Sequence, residues 1–128
     1  MALTPERVTK RNVTSCKFPI ESNEYTFRDA IIYALGIGFS TKDECGLRYL
    51  YENSKDFQVF PLFGIMVAGP SVINLLALPG LKIKQERVLH LEQYFEQHRP
   101  LPPQAKVSNQ VEVVDVLDRK TGSQYIFR

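Results

Sequence analysis

No apolar run in the sequence approaches the roughly 18 residues that a membrane-spanning helix requires, which excludes that class. No stretch before Asn12 resembles a secretory signal peptide. There is no basic stripe either: 16 Lys and Arg are interspersed with 14 Asp and Glu for a net charge of +2, so nucleic acid is not an expected partner. Cysteine is scarce, and Cys16 and Cys45 lack metal-ligand spacing. Small secreted folds carry more cysteines, so both are read as free thiols in a reducing compartment. Asn12-Val13-Thr14 matches a glycosylation sequon, a match common by chance. The terminal Tyr125-Ile126-Phe127-Arg128 is not a peroxisomal address of the Ser-Lys-Leu type.

Catalytic signatures are missing as well. There is no Gly-x-Ser-x-Gly elbow, no P-loop and no Cys-x-x-Cys pair. Histidine is limited to His90 and His98, neither with a second ligand at metal spacing, so no zinc site is expected. Asp43-Glu44 falls in a polar loop and reads as solvated. Gly36-Ile37-Gly38 follows a predicted helix rather than a strand, which makes it a helix stop and not a dinucleotide fingerprint.

What remains is an ordinary globular chain of 128 residues, 44% hydrophobic and 23% charged. It is enough for one domain that buries roughly two-thirds of its unfolded surface. Residues 1–19 read as a flexible, polar lead-in and residues 20–128 as the domain. Thr26 followed by Asp29 predicts a capped helix start, with Phe27, Ile31, Ala34 and Leu35 on one face. Residues 47–52 (LRYLYE) and 57–60 (FQVF) read as short extended runs, with Pro61 disfavouring helix at Phe60. Residues 62–78 are apolar almost all round and predict a buried helix that starts or restarts near Pro70 and ends at Pro79-Gly80.

Residues 87–99 (RVLHLEQYFEQHR) are ambiguous. Val88, Leu91 and Phe95 have helical spacing, while Leu89, Leu91, Gln93, Phe95 and Gln97 alternate as in a strand. His90 lies between two leucines and reads as a core histidine or a site residue; His98, before the proline turn, reads as solvated. Residues 106–118 alternate as one strand, with Val107, Val111, Val113 and Leu117 on one face. Residues 118–122 (DRKTG) form a hairpin turn into a return strand at 123–128. The residues alone thus give an α+β domain: helices with antiparallel strands, an apolar interior and no assembled catalytic set.

Four ordered blocks add a resemblance: residues 25–38 (YTFRDAIIYALGIG), 47–64 (LRYLYENSKDFQVFPLFG), 88–94 (VLHLEQY) with Pro100-Leu101-Pro102, and 115–118 (DVLD). In that order and spacing, over about residues 20 to 122, the chain resembles the N-terminal half of the type 2, or MaoC-like, enoyl-CoA hydratases of peroxisomal multifunctional enzymes. The resemblance implies a hot-dog fold, a curved antiparallel sheet around a central helix at 62–78, as one half of a double hot-dog with its last strands missing. It also makes residues 87–99 a strand.

The family hydrates trans-2-enoyl-CoA to (3R)-3-hydroxyacyl-CoA in fatty-acid β-oxidation, with no metal or redox cofactor. Its Asp and His come from a Gly-Asp-x-Asn-Pro-x-His motif. Neither histidine here follows an aspartate by five residues, so the chain is expected to be catalytically inert. The resemblance gives the N-terminal half the acyl tunnel and part of the CoA-thioester site. Those positions map onto His90 with Leu91 and onto Arg119. Leu91 stands where the family has glycine, which would narrow or re-aim the pocket; Arg119 stands for a lysine, keeping the charge for a CoA phosphate with a different donor geometry.

The implied partners are a medium- to long-chain acyl-CoA and a catalytic C-terminal half or a second copy, with no nucleic acid and no membrane. The implied location is peroxisomal. The alternatives are an interaction module that uses an open sheet edge, and a small hot-dog thioesterase-like enzyme.

Overall fold

The computed structural model describes residues 10–73 and 83–128. The elements run α1 (Lys10–Thr14), β1 (Glu21–Tyr25), α2 (Phe27–Gly36), α3 (Gly46–Leu50), α4 (Phe63–Ile73), a 3-10 turn at Gln85–Arg87, β2 (Ala105–Asn109), β3 (Val113–Asp118) and β4 (Ser123–Phe127). β1 pairs with β2, and β3 pairs with β4. The chain divides into two compact units, Ser22–Gly69 with Glu92–Ser108, and Met1–Glu21 with Pro70–Leu91 and Asn109–Arg128.

The first unit begins at a helix start legible in the sequence. Thr26 is extended ahead of α2, and its backbone N–H and hydroxyl both donate to the Asp29 carboxylate, at 2.8 and 2.9 Å. The first turn of a helix leaves N–H groups without intrahelical acceptors, and an acid three residues past the cap fixes the chain's entry. Gly38, at φ 101°, lies just past the helix end, and its N–H donates to the Leu35 carbonyl at 3.0 Å. α2 buries Ala30 and Ala34. The face expected from Phe27, Ile31, Ala34 and Leu35 is therefore rotated: Phe27 and Leu35 are exposed, while Ala30 packs with Tyr25, Val59 and Phe63.

The core of this unit gathers Tyr25, Ala30, Val59 and Phe63, with Tyr33, Val67, Leu101, Ala105 and Val107 packed around them. Aromatic rings bind it together. Tyr25 meets Phe63 edge-on at 5.2 Å, Phe63 meets Tyr33 at 5.5 Å, and Phe60 meets Phe39 at 5.3 Å and Tyr49 at 5.4 Å. Such tilted and edge contacts suit the ring quadrupole. The Tyr25 hydroxyl donates to the Pro102 carbonyl at 2.9 Å, and burial raises its pKa. Gly64 lets Phe95 approach: a Cβ there would stand 3.3 Å from the Phe95 ring.

Two sequence readings in this unit are corrected. The run at 47–52 is not extended: residues 46–50 form α3. Its β-prone side chains are overruled locally. The Ser40 N–H donates to the Asp43 carboxylate at 2.6 Å, Gly46 is so close to the Ser40 carbonyl that a Cβ would collide with it, and the Arg48 carbonyl accepts the Gln58 N–H at 2.8 Å. The apolar helix expected at 62–78 begins at Phe63 and runs through Pro70, with Leu62, Met66 and Ile73 exposed. Only part of its surface is buried, and its expected continuation to Leu78 with the Pro79-Gly80 stop lies outside the described residues.

The second unit is built on the β3–β4 hairpin. The strands are antiparallel, with Asp118 opposite Ser123, Leu117 opposite Gln124, Val116 opposite Tyr125 and an irregularity between Val113 and Asp115. The hairpin and its turn follow the sequence reading. The single strand expected over 106–118 does not form, because β2 is drawn to β1 while β3 is drawn to β4. The polar lead-in expected over 1–19 is also corrected within its described part. Val13 of α1 is 1% exposed and forms a core with Val113, surrounded by Cys16, Phe18, Val111, Val116 and Tyr125. Lys10 adds an ion pair to Asp115 at 2.6 Å.

The strand implied at 87–99 is absent. Residues 88–97 run outside any strand or helix, with Val88 extended at φ −93° and ψ 129°. Leu89 is 81% exposed and Leu91 is 69% exposed. The segment thus joins no sheet ladder among the described residues.

Candidate functional site

Arg119 follows β3 on the turn that leads to β4. Asp118 accepts the Lys120 N–H at 2.9 Å, the Thr121 N–H donates to the Arg119 carbonyl at 2.7 Å, and the Arg119 N–H donates to the Gly122 carbonyl at 2.9 Å. Lys120 takes a positive φ of 65°. An aspartate that bonds the backbone two residues on and a glycine nearby are the side chains such a turn favours. The Arg119 Nε donates to Gln124 Oε1 at 2.7 Å.

An open groove of about 620 Å³ lies between α1 and this turn, lined by Lys10, Val116, Asp118, Lys120 and residues 121–123. Its charges are nearly balanced, since Asp118 faces the two lysines and Lys10 is already paired with Asp115. His90, Leu91 and Arg119 do not line it.

The Lys10 ammonium, and after it the Val116 N–H, hold the Asp115 carboxyl below its usual pKa. The Thr26 backbone and hydroxyl do the same for Asp29. A carboxyl depressed in the folded state stabilises it at pH above the unfolded value of about 3.9, and that contribution disappears as pH falls through the depressed value. Asp115→Asn is therefore expected to flatten the acid limb of stability against pH, followed by circular dichroism melting. An unchanged limb would show that Lys10 and Asp115 do not interact in solution.

His90 is exposed on a segment outside any strand or helix, so the reading of a core histidine is corrected. Leu91 is exposed beside it. His98 is solvated as expected, with its ring 83% exposed and 3.8 Å from Glu96. Among the described residues, no three His, Cys, Asp or Glu side chains gather to hold a metal ion, and no helix is long and apolar enough to cross a membrane. Cys16 and Cys45 are not joined by a disulfide. Sequence reasoning passed over Lys10, Asp115 and Gln124. The pairing of Lys10 with Asp115 depends on α1 packing against β3, which no local pattern in the sequence specifies.

Comparison with known proteins gives the geometry its context. The MFE-2 hydratase 2 N-terminal domain family matches residues 23–127. The peroxisomal multifunctional enzyme type 2 of Mus musculus is 40% identical over 108 residues, which are 83% of this chain and 15% of that protein. The full-length structure of peroxisomal multifunctional enzyme type 2 from Drosophila melanogaster superposes with a TM-score of 0.67 at 31% identity, over 84% of this chain and 18% of that one. A MaoC-like dehydratase from Phytophthora capsici superposes with a TM-score of 0.74 at 23% identity, over 91% of this chain and 41% of that one, a likeness of fold. The chain thus spans less than a fifth of the length of the mouse and fly proteins. With a matched region that runs from β1 through β4 and a partial hot-dog arrangement of helix and antiparallel strands, the chain belongs to the MFE-2 hydratase 2 N-terminal domain family.

Proposed function

We propose that this chain is the non-catalytic, acyl-binding N-terminal half of a (3R)-specific 2-enoyl-CoA hydratase of peroxisomal fatty-acid β-oxidation. The observation that carries the proposal is the family match over residues 23–127 in a sequence without a Gly-Asp-x-Asn-Pro-x-His segment. In this reading His90 and Leu91 meet the thioester end, and Arg119 meets a CoA phosphate. The general base and acid come from a catalytic half, which is the expected macromolecular partner. The exposed Leu89 and Leu91 support that partnership, since apolar side chains on backbone outside any strand gain stability when another strand covers them.

The proposal separates binding from turnover. The chain alone is expected to take up decenoyl-CoA with saturable heat in calorimetry while hydrating it no faster than background. Hydration by the isolated chain that disappears in His90→Ala would overturn the assignment of a non-catalytic half.

A further inference from the structure

Arginine carries only donors, so the acceptors around it decide where its guanidinium points. Among the described residues, the side-chain acceptor that Arg119 meets is Gln124 Oε1, 2.7 Å from Nε. Arg119 can bond in this way because its backbone is closed into the turn on both sides, through Gly122 and Thr121. Gln124 is half-buried on β4 opposite Leu117, so the hairpin register sets where its side chain starts. Because the partner has no acceptor, the amide must turn its oxygen towards Nε.

The guanidinium is planar, and fixing Nε fixes the direction of the whole fork. The side edge of the fork, which includes Nε, is occupied by Gln124. The end edge, formed by the two terminal nitrogens, remains for a bidentate anion. Glutamine differs here from glutamate in one respect that matters. It accepts the Nε hydrogen bond without adding a negative charge, so the guanidinium keeps its full attraction for a phosphate dianion.

We propose that Gln124 is the positioning residue for Arg119, orienting the guanidinium end-on towards the ribose phosphate monoester of a CoA thioester without neutralising it. The inference rests on the reading that Arg119 meets a CoA phosphate. It adds the residue that makes the contact directional. Gln124 itself touches no ligand in this scheme.

The test compares calorimetric affinities of the full chain for CoA and for dephospho-CoA, which lacks the ribose phosphate monoester, in the wild type, Arg119→Ala, Gln124→Glu and Gln124→Ala. A charged hydrogen bond to phosphate implies a wild-type preference for CoA of about tenfold or more. Arg119→Ala is expected to lose that preference. Gln124→Glu, almost the same shape, is expected to lose it as completely, by pairing with Arg119 and cancelling its charge. Gln124→Ala is expected to reduce it in part, and decides the matter should Gln124→Glu unfold. A merely structural role would change both affinities together and leave their ratio intact. Preference retained in the Gln124 variants but lost in Arg119→Ala would defeat the role of Gln124 and leave that of Arg119. A wild type without preference, or a preference that survives Arg119→Ala, would defeat both.

Discussion

Phe63→Ala is expected to cost about 3–5 kcal/mol of stability, the range for deleting a buried aromatic ring whose neighbours cannot close the gap. The estimate belongs at the upper end for a physical reason. Phe63 is buried at the start of α4 and touches two rings, Tyr25 edge-on at 5.2 Å and Tyr33 at 5.5 Å. Those rings are held elsewhere: Tyr25 by its hydrogen bond to the Pro102 carbonyl, and Tyr33 by its contact with Phe60 at 6.4 Å. Rings anchored in this way fill the space that Phe63 leaves only in part, so a cavity term adds to the lost burial. Urea denaturation followed by far-ultraviolet circular dichroism measures the effect. A loss under about 0.5 kcal/mol, within the range of a surface substitution, would mean that this aromatic core is not formed as described.

Val13→Asp is the second large effect, and it tests the half of the core that the sequence concealed. Val13 is 1% exposed against Val113, with Cys16, Phe18 and Tyr125 around it. A carboxylate there would lose its hydration among apolar side chains, and Lys10 is already committed to Asp115 at 2.6 Å. The expected loss is more than about 4 kcal/mol, unless the carboxyl takes up a proton and reduces the cost. Hydrogen exchange of the β3 and β4 amides locates it: their protection should fall while that of α2 is retained. Equal protection in wild type and variant would show that α1 does not hold the hairpin.

These two cores show where sequence reasoning worked. α2 was legible because its signals are local: Thr26 and Asp29 sit three residues apart, and Gly38 stops the helix just past its end. The β3–β4 hairpin was legible from alternation and from Asp118 and Gly122 in one short turn. Residues 46–50 misled because the side chains of Leu47, Tyr49 and Leu50 suit a strand. Their helix is dictated instead by the Ser40–Asp43 turn and the absence of a Cβ at Gly46. α1 was hidden because five residues carry too little periodicity, and the burial of Val13 depends on Val113, a hundred residues away.

The candidate site divides along the same line. His90, Leu91 and Arg119 stood out through resemblance to a family, with no local chemistry to single them out. Gln124 could not be seen at all, since its relation to Arg119 exists only once the hairpin register is set. The segment at 87–99 alternates like a strand, yet joins no ladder. Alternation specifies which side chains share a face; it does not supply the neighbouring strand.

Calorimetric titration of the purified chain with decenoyl-CoA decides whether it is the acyl-CoA-binding half proposed above. Saturable binding of the thioester is expected. No heat at ligand concentrations approaching about 1 mM, where even interactions of about 4 kcal/mol become visible, would contradict it.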